Sequence, residues 1–167
     1  MAEQTRKLTG TGIKSVKLGT RDEGFENESN DCMVKALQAV TGVPYRDAHA
    51  VCAERFRRRP GRGCRLEYLT LAPVFGYRFI PVDNKPVLSI AFGGYRRLRR
   101  LRARYQTLTQ FVSTHRTGRW FVASNYHAFA VIDGVVYDNG AAGTRTQVAF
   151  IYEVISDSDY ERRQGGN

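Results

Sequence analysis

The sequence predicts an α+β domain, with helices leading and an antiparallel sheet following, and three observations carry that prediction. Apolar residues recur at helical spacing between positions 30 and 58. After Thr117-Gly118 the period switches to two. Asp133-Gly134 then interrupts the alternation as a two-residue hairpin turn. With 167 residues, 42% of them hydrophobic, the chain suits a single domain with a buried core.

Taken in order, residues 1–20 read as a polar, flexible arm with a short strand at Ile13 to Leu18. Arg21 to Ser29 reads as a loop, and the main domain runs over 21–155. Helix one follows Ser29 or Asn30 as N-cap, with Asp31 in the first turn and Val34, Leu37 and Val40 on one face. Gly42 and Pro44 end it. A second helix is expected from Tyr45 to about Arg58, burying Ala48, Val51, Cys52 and Phe56, until Pro60-Gly61-Arg62-Gly63 breaks it. Leu66 to Phe75 reads as a third helix, and Tyr77 to Val82 as a strand.

Residues 83–94 are expected to connect, with one strand at Val87 to Phe92. Tyr95, Leu98, Leu101 and Tyr105 then lie at helical spacing among arginines, the pattern of a basic amphipathic helix. Thr107-Leu-Thr-Gln110 has capping-box spacing and opens a helix that buries Leu108, Phe111 and Val112. Strands are expected at Arg119 to Ser124, His127 to Ile132, Val135 to Asn139 and Gln147 to Ile155, and the tail from Ser156 to Asn167 reads as polar and frayed.

Chemistry concentrates in two segments. Cys32 falls in the first turn of helix one, where unpaired N–H groups and partial positive charge favour a thiolate. Those N–H groups also suit an oxyanion. With a two-residue turn at Asp133-Gly134, Ile132 faces Val135 and Phe129 faces Asp138, which makes His127 and Asp138 a diagonal pair on one face. Asn139 would point to the opposite face. Asp138 is therefore the residue placed to orient His127, leaving the other ring nitrogen for Cys32. His49, mid-helix, and His115, near a helix end, read as surface or packing residues.

The phrases Asn-Asp-Cys-Met-Val-Lys-Ala-Leu from Asn30 and His-Ala-Phe-Ala-Val-Ile-Asp-Gly-Val-Val-Tyr-Asp from His127 to Asp138 resemble the papain-like cysteine peptidase superfamily, whose chain order is also Cys, His, Asp. The likeness is greatest to its small bacterial and phage members, of the bacteriocin-peptidase-like or ovarian-tumour-domain-like kind. The stretch from Asn30 to Tyr45, with Thr107 to Asp138, also resembles proteins encoded by phages. The resemblance covers about residues 27 to 140 in outline. It implies a nucleophile helix packed on a sheet that carries the base, and a thiol-dependent hydrolase of peptide or isopeptide bonds with Cys32, His127 and Asp138 as its triad. Many such enzymes place an oxyanion-hole glutamine six residues before the cysteine. Glu26 stands there in this chain, so Asn27 and Asn30 become the candidate side-chain donors beside the Cys32 N–H. No metal or organic cofactor is needed for this chemistry. Amide or acyl transfer by the same residues is a variant of it.

Charge supplies a reading from another class. The formal net charge is +10, and arginine is concentrated in two runs. Arg57, Arg58, Arg59 and Arg62 belong to the first, and Arg96, Arg97, Arg99 and Arg100 to the second. These are candidate polyanion-binding residues, so the alternative is a catalytically weak or inactive papain-like phage or virion protein that binds nucleic acid or another acidic partner. His49, Cys52 and Cys64 offer three ligand types for zinc without an evident fourth. The expected setting is a cytoplasm, that of a bacterial host if phage-encoded, or a virion. Three widely spaced cysteines suit reduced thiols, and neither a signal sequence nor a membrane span is evident.

Overall fold

In this computed structural model, residues 5–7, 12–19, 22–82, 106–124 and 127–166 are described. Seven strands form one mixed sheet: β1 (Thr5–Lys7), β2 (Lys14–Lys17), β3 (Tyr77–Pro81), β4 (Arg119–Ala123), β5 (Ala128–Ile132), β6 (Val135–Asp138) and β7 (Phe150–Ser156). Their spatial order is β1-β2-β6-β5-β4-β7-β3. Four α-helices accompany them among the described residues: α1 (Cys32–Thr41), α2 (Tyr45–Glu54), α3 (Leu108–Thr114) and α4 (Asp157–Gly165). The α+β class stands. The sheet is not wholly antiparallel, because β2 runs parallel to β6, with Val16 opposite Tyr137 and Lys17 opposite Asp138.

The sheet is buried on both faces, and alternation in the central strands decides which residues serve each. Phe121, Ala123, Ala128, Ala130 and Tyr152 face α1 and α2, where they meet Val34, Leu37, Val40 and Phe56. The alanines matter: with methyl side chains at 123, 128 and 130, α1 can settle close to the ends of β4 and β5. Val122, Phe129, Val131 and Val136 face the other way, against Leu108, Phe111 and Val112 of α3. Each fully buried side chain of this size contributes roughly 1.5–3 kcal/mol relative to exposure.

The hairpin expected at Asp133-Gly134 is present, with Ile132 opposite Val135 and Val131 opposite Val136. Asp133 and Gly134 both have positive φ, at 48° and 75°, the backbone that a tight right-twisted hairpin requires. The capping box of α3 also forms. The Gln110 N–H donates to Thr107 Oγ1 at 3.3 Å, and the Thr107 N–H donates to Gln110 Oε1 at 2.8 Å.

Several expectations are corrected. The strand expected at Ile13 to Leu18 is present as β2, but the segment read as a flexible arm is tied into the sheet, with β1 pairing β2 and β2 pairing β6. Asp31, not Asn30 or Ser29, is the N-cap of α1. The second helix stops at Glu54 because the chain turns through Arg57 (φ 52°), so that the Arg58 N–H donates to Cys52 O at 2.9 Å. Leu66–Thr70 is one short 3-10 turn and not a helix reaching Phe75. Pro73 denies that segment an N–H, and Arg55 donates to the carbonyls of Pro73 (2.9 Å) and Ala72 (3.5 Å). The tail is not frayed: Ser156 caps α4, accepting from the Asp159 N–H at 3.1 Å, and Arg162 and Arg163 occupy the last turn. The basic helix expected over 95–105, with Arg96, Arg97, Arg99 and Arg100, lies outside the described residues, as does the connecting chain before it.

Candidate active site

Cys32 opens α1 half-buried, at the point where the helix N-terminus comes over the start of β5. His127 immediately precedes β5. A tight return from β4 sets it there: the Ser124 N–H donates to the His127 carbonyl at 2.8 Å, and the Ser124 hydroxyl donates to it at 3.2 Å. Asp138 ends β6. His127 Nε2 hydrogen-bonds Asp138 Oδ1, so the diagonal pairing across the hairpin is realised. The imidazole also stacks on Phe129, with ring centroids 6.0 Å apart.

Asp138 is held on every side. Its Oδ2 accepts the N–H of Gly140 at 2.9 Å and of Ala142 at 2.7 Å, and its own carbonyl accepts the Leu18 N–H at 2.8 Å. Asn139 turns its side-chain oxygen to the Ala141 N–H instead, at 3.2 Å, and only its backbone N–H favours the Asp138 carboxylate. The carboxylate is 5% exposed and the imidazole 15%.

These contacts decide the charge states. Burial works to lower the His127 pKa, but the Asp138 hydrogen bond and the Cys32 contact outweigh it and push the imidazole up to about 9. Burial works against the Cys32 thiolate. The hydrogen bond from His127, joined by the N–H groups of Ala128 and Met33, prevails and lowers the thiol below its usual range. Burial likewise opposes the Asp138 carboxylate, and the His127 bond and the Ala142 N–H hold its pKa low. At neutral pH the imidazole is therefore charged and backed by a carboxylate, and the thiol beside it is shifted toward thiolate.

A cleft of about 530 Å³ opens on the sulfur. It is lined by Asn30, Cys32 and Met33 at the start of α1, by Ala123, Ser124, His127 and Ala128 at the facing ends of β4 and β5, and by a wall of Arg62, Gly63, Cys64 and Leu66. Of the two side-chain oxyanion candidates, Asn30 reaches the cleft, but its amide donates to Gly61 O at 2.7 Å, fastening the 61–66 wall to the nucleophile loop. Asn27 is exposed and does not line the cleft. Besides His127, the groups that favour the thiolate are the backbone N–H groups of Ala128 and Met33.

Arg58 corrects the polyanion list. It is 5% exposed, and its guanidinium donates to Glu28 Oε2, to Ser29 O at 3.0 Å and to His49 Nε2 at 2.9 Å. The Arg58 hydrogen bond in turn holds the Glu28 carboxyl pKa low. His49 is thereby an acceptor in a buried ionic knot, packed on Phe25 with centroids 4.7 Å apart. His115 stacks on Phe111 at 4.2 Å as a packing residue. Asp31 accepts from the Tyr45 hydroxyl at 3.0 Å and lies 3.9 Å from the Lys35 ammonium. The knot is not legible in the sequence because its members lie 9 to 30 residues from Arg58. The one available signal was an arginine and a glutamate flanking otherwise apolar packing.

Arg57, Arg59 and Arg62 remain exposed. Cys52 is buried, and the Cys64 thiol beside it, then burial, drives its pKa far upward, so it is inert as a nucleophile. No group of three or more His, Cys, Asp or Glu among the described residues could hold a metal ion, and no described helix is long and apolar enough to cross a membrane. No protein-family model matches the chain, nor does any curated protein or solved structure.

Proposed function

We propose that this chain is a thiol-dependent hydrolase of papain-like type, cleaving peptide or isopeptide bonds. One observation carries the reading: His127 Nε2 is committed to the Asp138 carboxylate, which leaves Nδ1 for the sulfur, and Cys32 lies close enough to His127 for each to shift the other toward its charged form. The Cys32 thiolate attacks the carbonyl carbon, and the oxygen takes up the electron pair at the start of α1, where the Cys32 and Met33 N–H groups stabilise it. As the C–N bond breaks, His127 delivers its proton to the leaving amine, leaving a thioester on Cys32. Neutral His127 then takes a proton from water, whose hydroxide attacks the thioester. The carboxylic acid departs, the thiolate re-forms and the imidazole is protonated again. Asp138 keeps one tautomer and one ring orientation throughout.

The test is the rate of Cys32 alkylation by iodoacetamide against pH, followed on the Cys32 peptide by mass spectrometry. The wild type should react on a plateau that extends well below the free-thiol pKa of ~8.5. His127→Ala should lose that plateau. An ordinary thiol profile in the wild type, unchanged by the substitution, overturns the reading.

A further inference from the structure

We propose that the Arg62-Gly63 wall of the cleft selects an acidic side chain of an extended peptide, next to the bond that Cys32 attacks. This rests on the thiol-hydrolase reading and adds the substrate class to it. The argument begins with charge. Of the side chains that line the cleft, Arg62 is the one permanent cation, and none is a carboxylate. The acidic groups nearby are already engaged: Glu28 by Arg58, Asp31 by Tyr45, Asp138 by His127, and Glu67 by Arg65 at 3.6 Å. His127 is itself cationic below about pH 9, and the most that Cys32 can do as a thiolate is cancel it. Among the described residues, Arg62 has no ion-pair partner, so the cleft carries a net positive charge that a ligand can neutralise.

Shape points the same way. The 61–66 wall is fixed to the loop before Cys32 through the Asn30–Gly61 bond, and the Arg62 N–H donates to Arg59 O at 3.0 Å, so the backbone that carries the Arg62 side chain is anchored at the mouth of the cleft. Gly63 leaves open space where a Cβ would stand, which lets a peptide backbone approach that wall. Met33, Leu66, Ala123 and Ala128 give the rest of the cleft an apolar lining, suited to flanking side chains and unsuited to a phosphodiester backbone. A guanidinium at such a point offers a carboxylate two parallel hydrogen bonds, a geometry lysine cannot reproduce.

Two measurements test this on the full chain. The first compares Cys32 alkylation by iodoacetate, an anion, with that by iodoacetamide, its neutral analogue, in wild type, Arg62→Glu and Arg116→Glu. Arg116 packs against the Asp133-Gly134 turn, at the opposite end of the hairpin from His127, and controls for net charge. The iodoacetate-to-iodoacetamide ratio should fall about tenfold in Arg62→Glu and less than about twofold in Arg116→Glu. Equal falls in both variants overturn the assignment. The second is digestion of a proteome-derived peptide library. Cut sites should be enriched in Asp or Glu within two residues of the bond, and Arg62→Glu should replace that preference with Lys or Arg. Cleavage without acidic enrichment overturns the proposal while leaving the hydrolase reading intact. An uncut library beside an activated Cys32 overturns the peptide assignment. An unactivated Cys32 sinks the hydrolase reading, and the alkylation ratio then still reports whether Arg62 selects anions.

Discussion

Cys32 and His127 reach one cleft by opposite means. His127 and Asp138 are carried by a hairpin whose register is set by backbone ladders, a two-residue turn and the parallel pairing with β2. Cys32 is carried by an irregular segment, 22–31, that side chains hold in place: Arg58 gathers Glu28, Ser29 O and His49, Tyr45 takes Asp31, and Asn30 takes Gly61. A ladder spreads its stabilisation over many equivalent bonds. A knot concentrates it in one guanidinium. The two halves should therefore respond differently to substitution, the knot steeply at one position and the hairpin gradually at several.

The largest effect is expected at the knot. Arg58→Met removes a buried cation from a part-buried cluster and leaves Glu28 with His49 alone, 3.3 Å away, a change that costs about 3 kcal/mol. Urea unfolding should show that loss, against a typical total of about 5–15 kcal/mol. A loss under 1 kcal/mol would mean that the segment is held by something else.

Asp138→Asn comes next and separates chemistry from scaffold. In the wild type His127 is charged up to about pH 9, above its ordinary 6.5. Its interactions with Asp138 therefore contribute stability that is fully present below 6.5 and disappears as pH rises through 9. The variant should be destabilised more at pH 6 than at pH 10, and the His127 ring protons should titrate below their wild-type midpoint in NMR. Identical midpoints would show that Asp138 does not set the imidazole charge.

On the hairpin side, Gly134→Ala puts a Cβ where φ is +75° and the nearest atom, Arg116 O, is 3.4 Å away. A cost of about 1–2 kcal/mol follows from the left-handed backbone alone. The smallest effect belongs to Asn30→Gly. It relieves a side chain at φ 53° but gives up the bond to Gly61 O, so the stability change should stay within about 1 kcal/mol. Its signature is local: hydrogen exchange should quicken in the 61–66 wall and not in β5 or β6.

The same contrast explains what the sequence makes legible. Alternation and Asp133-Gly134 settle the register of β5 and β6, and the register alone pairs His127 with Asp138 ahead of Asn139. Thr107 and Gln110 announce α3 because both partners of a capping box lie within one turn. Helix one is visible in Val34, Leu37 and Val40, yet its cap is misread by a residue or two, since Asp31 owes its burial to Tyr45, fourteen positions away. Arg58 reads as one arginine of a run, because nothing local distinguishes a guanidinium that turns inward at a left-handed Arg57 from its exposed neighbours. α4 hides in a polar tail, because its stability comes from Ser156 at the start and from Arg163 reaching back to Glu153 at 3.0 Å.

The parallel strand β2 has a consequence for the orienting carboxylate. Without it, β6 would be the rim of the sheet, and its last residue would fray into solvent as strand margins do. With the Leu18 N–H on the Asp138 carbonyl, that residue becomes interior, and a fluctuation that frees it must first detach the N-terminal strand. The Leu18 amide is thus a gauge fitted to the back of the His127–Asp138 pair. The slower it exchanges with deuterium, the longer the imidazole keeps its partner.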